Sequence, residues 1–162
     1  MLTIRNAATT DIKLIHELAL KIWPQTYAGI ISKEQIDFMM EMMYSETSLQ
    51  KQINEGCQFV IINENTQPVG FASYQETGPF IFKLHKIYIL NNQQGKGTGR
   101  FLLNYIMDTI QKQGAGSIQL QVNRNNKAKF FYEKLGFTVI AEADFDIGNG
   151  FFMNDYIMEK KL

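Results

Sequence analysis

Lys83-Leu-His-Lys-Ile-Tyr-Ile-Leu-Asn-Asn-Gln-Gln-Gly-Lys-Gly-Thr-Gly-Arg100 is the stretch that decides how this chain is read. It starts as a β-rich run, passes through glycines at 95, 97 and 99, and continues as a helical pattern. A strand, a glycine turn and a helix in that order can hold a pyrophosphate on backbone amides. Glycine tolerates positive φ and lets main chain approach a ligand closely. Successive amides in such a turn make an anion-binding concavity. The helix that follows adds unpaired N–H groups and the positive end of its dipole.

Spacing separates the phosphate ligands such a turn can serve. The triphosphate-binding loop ends in Gly-Lys-Ser/Thr, which the sequence lacks. The dinucleotide fingerprint is Gly-x-Gly-x-x-Gly, and here the third glycine comes too soon. Gln94-Gly-Lys-Gly97-Thr-Gly99 instead matches Gln/Arg-x-x-Gly-x-Gly/Ala at every fixed position, and so resembles the acyl-CoA-binding motif of the GNAT superfamily of N-acetyltransferases. Taken by itself the loop also fits a plain helix start. Downstream, Asn125-Asn-Lys-Ala128-Lys-Phe-Phe-Tyr132 followed by Gly136-Phe137 resembles the second signature of that family, Asn-x-x-Ala-x-x-x-Tyr and then Gly-Phe. The two signatures stand in the family's order, and the resemblance runs over almost the whole chain.

Composition sets outer bounds. The 162 residues suffice for one domain with a real core, and residues 1–162 are read as a single N-acetyltransferase domain. Sixteen basic and sixteen acidic residues balance, so no bulk charge points to nucleic acid or to an anionic membrane. One cysteine, Cys57, excludes an internal disulfide and reads as packing. No apolar run approaches the roughly 20 residues that cross a bilayer. Residues 1–8 lack the features of a signal peptide. The expectation is a soluble cytoplasmic enzyme.

Periodicity supplies the elements. Leu2–Arg5 reads as an opening strand. Thr9 or Thr10 can cap a helix that ends at Pro24. Ser32 can cap a second helix, and residues 47–55 read as a short third one before Gly56. Strands are expected at 58–62, 68–75 and 80–90. A helix is expected from Thr98 to about Gln113, with Leu102, Tyr105, Ile106 and Ile110 facing the sheet. A strand at 117–122, a helix at 126–135 and strands at 137–143 and 152–159 complete the chain. The fold class is α/β (α+β): one mixed, mostly antiparallel sheet of about seven strands and about four helices, in the order β-α-α-β-β-β-α-β-α-β-β, which is also that of the GNAT fold.

The resemblance implies transfer of an acetyl group from acetyl-CoA, as co-substrate, to a primary amine, by direct attack in a ternary complex and without a metal. It places the pyrophosphate on Gln94, Gly95, Lys96, Gly97, Thr98, Gly99 and Arg100. It runs the pantetheine arm beside Ile87, Tyr88 and Ile89, with the Ile89 amide toward the thioester oxygen. Asn123 and Asn125 would face the cofactor, and Asn125 also fits a helix cap. Tyr132 would be the general acid, since a phenol stays protonated at neutral pH. Many members carry a glutamate base early in the central strand, where this chain has Lys83. His85, on the same face by alternation, and Glu76 are the candidate bases.

The acceptor wall is read in Trp23-Pro-Gln-Thr-Tyr27-Ala-Gly29, which resembles a Trp-x-x-x-Tyr-x-Gly pattern of small-molecule members. Trp23 and Tyr27 can stack on a substrate amine or pack the helix junction. The layout is similar to polyamine N-acetyltransferases, for which Glu41, Glu46, Asp144, Asp146 and Asp155 supply acidic residues. Acetylation of a protein or peptide amine, and a non-catalytic acyl-CoA-binding regulatory domain, are the alternatives. A homodimer is implied by the family alone.

Overall fold

The computed structural model describes residues 1–162. Its strands are β1 (Leu2–Asn6), β2 (Gln58–Glu64), β3 (Gln67–Gly78), β4 (Ile81–Ile89), β5 (Ser117–Asn123), β6 (Thr138–Gly148) and β7 (Phe151–Lys161). Its helices are α1 (Ile12–Tyr27), α2 (Lys33–Tyr44), α3 (Glu46–Asn54), α4 (Thr98–Lys112) and α5 (Ala128–Lys134). The strands are hydrogen-bonded in the order β1-β2-β3-β4-β5-β7-β6. This is the mixed, mostly antiparallel seven-stranded sheet that the sequence predicts, with five α-helices where about four are expected. The short third helix expected at 47–55 is α3, capped by the Ser45 hydroxyl and burying only Leu49.

The chain divides into two units. One comprises Met1–Gln75 and Lys86–Ile106, the other Glu76–His85 and Met107–Leu162. In the first, β1 and β3 flank β2, both antiparallel to it. Gly70 marks a close approach to the end of β4: a Cβ there would stand 2.6 Å from the Tyr88 carbonyl oxygen. No larger residue fits without moving backbone.

Helix α1 buries Ile12, Ile15, Leu18, Ala19, Ile22, Trp23 and Tyr27 along one stripe. Pro24 lies inside this helix and does not end it. The proline removes one intrahelical N–H. Leu20, whose carbonyl loses that partner, is on the exposed side. Burial of Trp23 and Tyr27 on either side of Pro24 holds the last turn. Ser32 caps α2 as expected, accepting from the Gln35 amide at 3.1 Å. In α4 the buried apolar residues are Leu102, Leu103, Ile106, Met107 and Ile110, while Tyr105 is among the exposed residues. Leu103 takes the buried place that the sequence reading gave to Tyr105.

In the second unit β4 runs parallel to β5, from Ile81–Ser117 to Leu84–Leu120. β7 lies between β5 and β6, antiparallel to both. β6 continues to Gly148, past the expected end at Ala143, because the Gly148-Asn149-Gly150 turn lets it pair with β7 over its whole length. No helix is long and apolar enough to cross a membrane.

The entry to α1 also departs from expectation. Neither Thr9 nor Thr10 caps it; they form a 3₁₀ turn, Thr9–Asp11. The Asp11 carboxylate accepts from the Ala8 amide at 2.8 Å and from both Arg5 guanidinium nitrogens, at 2.8 and 2.9 Å. The hydrogen bonds from Arg5 hold its carboxyl below the usual range. A carboxyl held low contributes stability that is present above its unfolded value and lost as pH falls through the folded one. Asp11→Ala is therefore expected to cost about 1 kcal/mol at pH 7, read from urea midpoints. The gap should shrink once pH falls below 3.8. An equal gap at pH 7 and pH 2 would contradict this account of Asp11.

Candidate active site

The glycine turn is built in the first unit. Leu90 leaves β4 by donating its amide to the Val69 carbonyl, at 2.9 Å. A 3₁₀ turn, Asn91–Gln93, follows. The Asn91 side chain ties it down, donating to Gln25 and accepting from Gln94. Gly95 and Gly97 have φ of 81° and 79°, the left-handed region where a side chain is strained. A Cβ on either would meet nothing within 4 Å. The glycines are thus needed for conformation, and the backbone beside them is open. The first hydrogen bond entering α4 runs from the Phe101 amide to the Gly97 carbonyl, at 3.0 Å. It leaves the amides of Thr98, Gly99 and Arg100 without intrahelical acceptors. Lys96 and Arg100 are exposed and in no ion pair. Aligned amides, a dipole end and two cations suit a phosphate group.

An aromatic cluster lies in the same unit. The Trp23 ring is 4.3 Å from Tyr27, 5.4 Å from Tyr44 and 5.7 Å from Tyr88, centroid to centroid. The Tyr27 and Tyr88 hydroxyls share a hydrogen bond of 3.0 Å. Burial pushes the Tyr44 hydroxyl well above the ordinary phenol range. The buried Lys86 ammonium lies over the Tyr44 ring, 5.1 Å from its centroid. Trp23 and Tyr27 are themselves buried, at 2% and 9% exposure. They pack the helix junction, and Tyr88 joins them from β4. The sequence reading missed Tyr44 and Lys86 here; the only signal was an aromatic closing α2.

In the second unit Tyr132 is buried on α5, with its ring 5.3 Å from Phe131 and 5.8 Å from Phe137. The turn after it explains the Gly-Phe of the signature. Gly136 has φ 96°. Its amide donates to the Glu133 carbonyl, and the Phe137 amide to the Tyr132 carbonyl at 3.1 Å. This is a Schellman closure with its usual apolar contact, here Phe137 on Tyr132. It fixes the end of the helix that carries the phenol. At the other end, the Asn126 side chain accepts from the Ala128 amide at 2.9 Å. The capping contact therefore comes from Asn126, and Asn125 is exposed. Asn123 accepts from the Asn125 amide at 2.8 Å, shaping the turn between β5 and α5.

A polar face runs across β4, β5 and β7 of this unit. Lys83 pairs in register with Gln119 and donates to the Gln121 side chain at 3.2 Å. Burial lowers the pKa of Lys83, against the pull of Asp155. Asp155 is opposite Asn123 in register and buried. Burial raises its carboxyl to about 6, with Arg124 and then Lys83 opposing the shift. His85 is half-buried two residues beyond Lys83, and Glu76 is exposed near the end of β3. The structure therefore groups Lys83 with Asp155, a pairing invisible in the sequence because β7 lies far along the chain.

Known proteins carry the same pattern. The profile of the acetyltransferase (GNAT) domain matches residues 27–160. A spermidine N(1)-acetyltransferase of Thermoplasma acidophilum is 30% identical over 164 residues, covering 98% of this chain and 96% of that protein. The crystal structure of the PaiA N-acetyltransferase of the same organism, in complex with coenzyme A, superposes with a TM-score of 0.83 at 29% identity over 100% of this chain and 99% of that one. A ribosomal protein bS18-alanine N-acetyltransferase of Haemophilus influenzae is 38% identical over 77 residues, 48% of this chain and 52% of that protein. The chain belongs to the GNAT acetyltransferases, and is an N-acetyltransferase that uses acetyl-CoA.

The Schellman closure makes a direct prediction. Gly136→Ala forces a side chain into a left-handed position and should cost about 1 kcal/mol of stability by urea denaturation. Turnover should fall further than that loss of folded protein explains, because Tyr132 loses its fixed helix end. Unchanged stability would remove the turn from the account.

Proposed function

We propose that residues 1–162 act as one cytoplasmic catalytic domain that acetylates a primary amine of a small molecule, with a polyamine such as spermidine as the acceptor. The observation that carries the reading is the open glycine turn, with its left-handed Gly95 and Gly97 and the unsatisfied amides at the head of α4. Similarity over nearly the whole length to a spermidine acetyltransferase supports the choice of acceptor.

In this reading the amides from Gln94 to Arg100 hold the pyrophosphate. The main chain of Ile87, Tyr88 and Ile89 bonds the pantetheine arm as an added strand would, and the Ile89 amide meets the thioester oxygen as it gains charge. Asn123 and Asn125 lie toward the cofactor from the turn before α5. Tyr132 protonates the departing thiolate. Trp23 and Tyr27, packed in the helix junction, back the acceptor pocket from behind through the hydroxyl pair Tyr27–Tyr88. A protein amine is the second reading, favoured by the likeness to the ribosomal alanine acetyltransferase.

The test is thiol release from acetyl-CoA with spermidine, spermine, amino acids, aminoglycosides and short peptides. Release dependent on polyamines is the expected result. Release with peptides alone would favour the second reading. Tight CoA binding with no release for any amine would turn the account toward a regulatory acyl-CoA-binding domain. Tyr132→Phe should cut kcat by about 100-fold or more and leave CoA affinity within twofold; equal turnover would remove Tyr132 from the chemistry. Gly97→Val should abolish CoA binding while the fold, read by circular dichroism, persists.

A further inference from the structure

Two contacts tie the last turn of α1 to the chain that leads into the glycine turn, all within the first unit. The Tyr27 and Tyr88 hydroxyls share a hydrogen bond of 3.0 Å. Two residues back on α1, the Gln25 side chain accepts from Asn91, whose own side-chain oxygen accepts from Gln94. One turn of helix thus grips a short stretch, residues 88–91, at both its ends. Neither contact belongs to a helix or a strand ladder, so neither follows from secondary structure alone.

The turn that grips is built for this. Pro24 takes one N–H out of the ladder of α1. Within the turn the Thr26 hydroxyl donates to the Ile22 carbonyl at 2.9 Å. After Tyr27 the helix stops, and the Ile30 and Ile31 amides both fold back onto the Tyr27 carbonyl, at 2.9 and 3.1 Å. Tyr27 is therefore the residue at which the helix and the following loop are pinned together. Its ring is buried against Trp23, and its hydroxyl reaches β4.

The stretch that is gripped is fixed along one edge by β3. A Cβ on Gly70 would stand 2.6 Å from both the Tyr88 carbonyl oxygen and the Ile89 side chain. The Leu90 amide donates to the Val69 carbonyl, and the Tyr88 ring lies 5.9 Å from that of Phe71. β3 thus holds the stretch in the plane of the sheet, and α1 holds it from the helix layer. Ring packing has little directionality, whereas a hydroxyl pair has a preferred distance and angle. Main chain that bonds a ligand needs that precision, since its donors must stand within about 0.5 Å of their places.

We propose that Gln25 and Tyr27 are positioning residues for the cofactor. Tyr27 acts through Tyr88 on residues 87–89, which bond the pantetheine arm. Gln25 acts through Asn91 on the turn that bonds the pyrophosphate. The inference rests on the cofactor placement proposed above. Each residue works through its partner and on a different part of one ligand. The same turn carries Trp23 and Tyr27 behind the acceptor pocket, so one turn of helix sets the places of both substrates.

The experiment measures binding of CoA and of ADP, which has the pyrophosphate and lacks the pantetheine arm. The proteins are wild type, Tyr27→Phe, Tyr88→Phe, the double variant, Gln25→Ala and Gly97→Val, with urea midpoints for each. Tyr27→Phe should weaken CoA about fivefold and leave ADP within twofold. Tyr88→Phe should match it, and the double variant should lose no more than either single, because the same bond is lost in all three. Gln25→Ala should weaken CoA and ADP alike, by about threefold. CoA affinity of Tyr27→Phe within twofold of wild type overturns the role of Tyr27, as do losses that add in the double variant. A lower urea midpoint with CoA and ADP weakened together in Tyr27→Phe marks a structural role and overturns it too. Both ligands unchanged in Gln25→Ala overturns the role of Gln25. Gly97→Val that still binds CoA overturns the cofactor placement and this inference with it. Loss of CoA binding in Gly97→Val, with Tyr27→Phe and Gln25→Ala unchanged, overturns this inference alone.

Discussion

Between Ile89 and Thr98 the backbone must leave a strand, turn through left-handed conformations at Gly95 and Gly97, and enter α4 with three amides still seeking acceptors. A pyrophosphate is a concentrated, strongly hydrated charge. A protein binds it by offering several donors already aligned, so that little reorganisation is needed. The aligned donors here are main-chain amides. The surrounding architecture serves that turn: Gly70 admits the end of β4 closely, the Val69 carbonyl receives Leu90, and Asn91 ties the 3₁₀ turn to Gln25.

In the second unit, residues with chemistry to offer are positioned by contacts that have no chemistry of their own. The Schellman turn at Gly136 and the Phe137 ring fix the helix end that bears Tyr132. Arg124 gathers Asp144, Glu142 and the carbonyls of Ala143 and Asp155, joining β6 and β7 beside the β5–α5 turn. Asp155 and Lys83 each pay desolvation on the same face. Their opposite pKa displacements are the mark of burial acting on an acid and on a base.

Much of this was legible in the sequence because it depends on local order. The glycine turn, the Ser32 cap, the seven strands and the Tyr132 signature are all written within short windows. What failed was decided at a distance. Pro24 signals a helix end, yet the burial of Trp23 and Tyr27 carries α1 past it. Asp11 rather than Thr9 or Thr10 ties down the entry to α1, its carboxylate accepting from the Ala8 amide and from Arg5. Tyr105 has the right spacing to face inward, and Leu103 takes that place. Asp155 lies in the run Met-Asn-Asp-Tyr-Ile, where nothing local marks it. The order β5-β7-β6 sets its strand beside Asn123, where burial and the charge of Lys83 act on it.

The central claim, that main-chain amides of one turn hold the CoA pyrophosphate, is most directly tested by titrating ¹⁵N-labelled protein with CoA and following amide shifts. The account predicts that the largest changes cluster at Gly95 to Arg100, with a second group at Ile87 to Ile89. Tight binding with those amides unmoved, and the shifts gathered elsewhere, would contradict it.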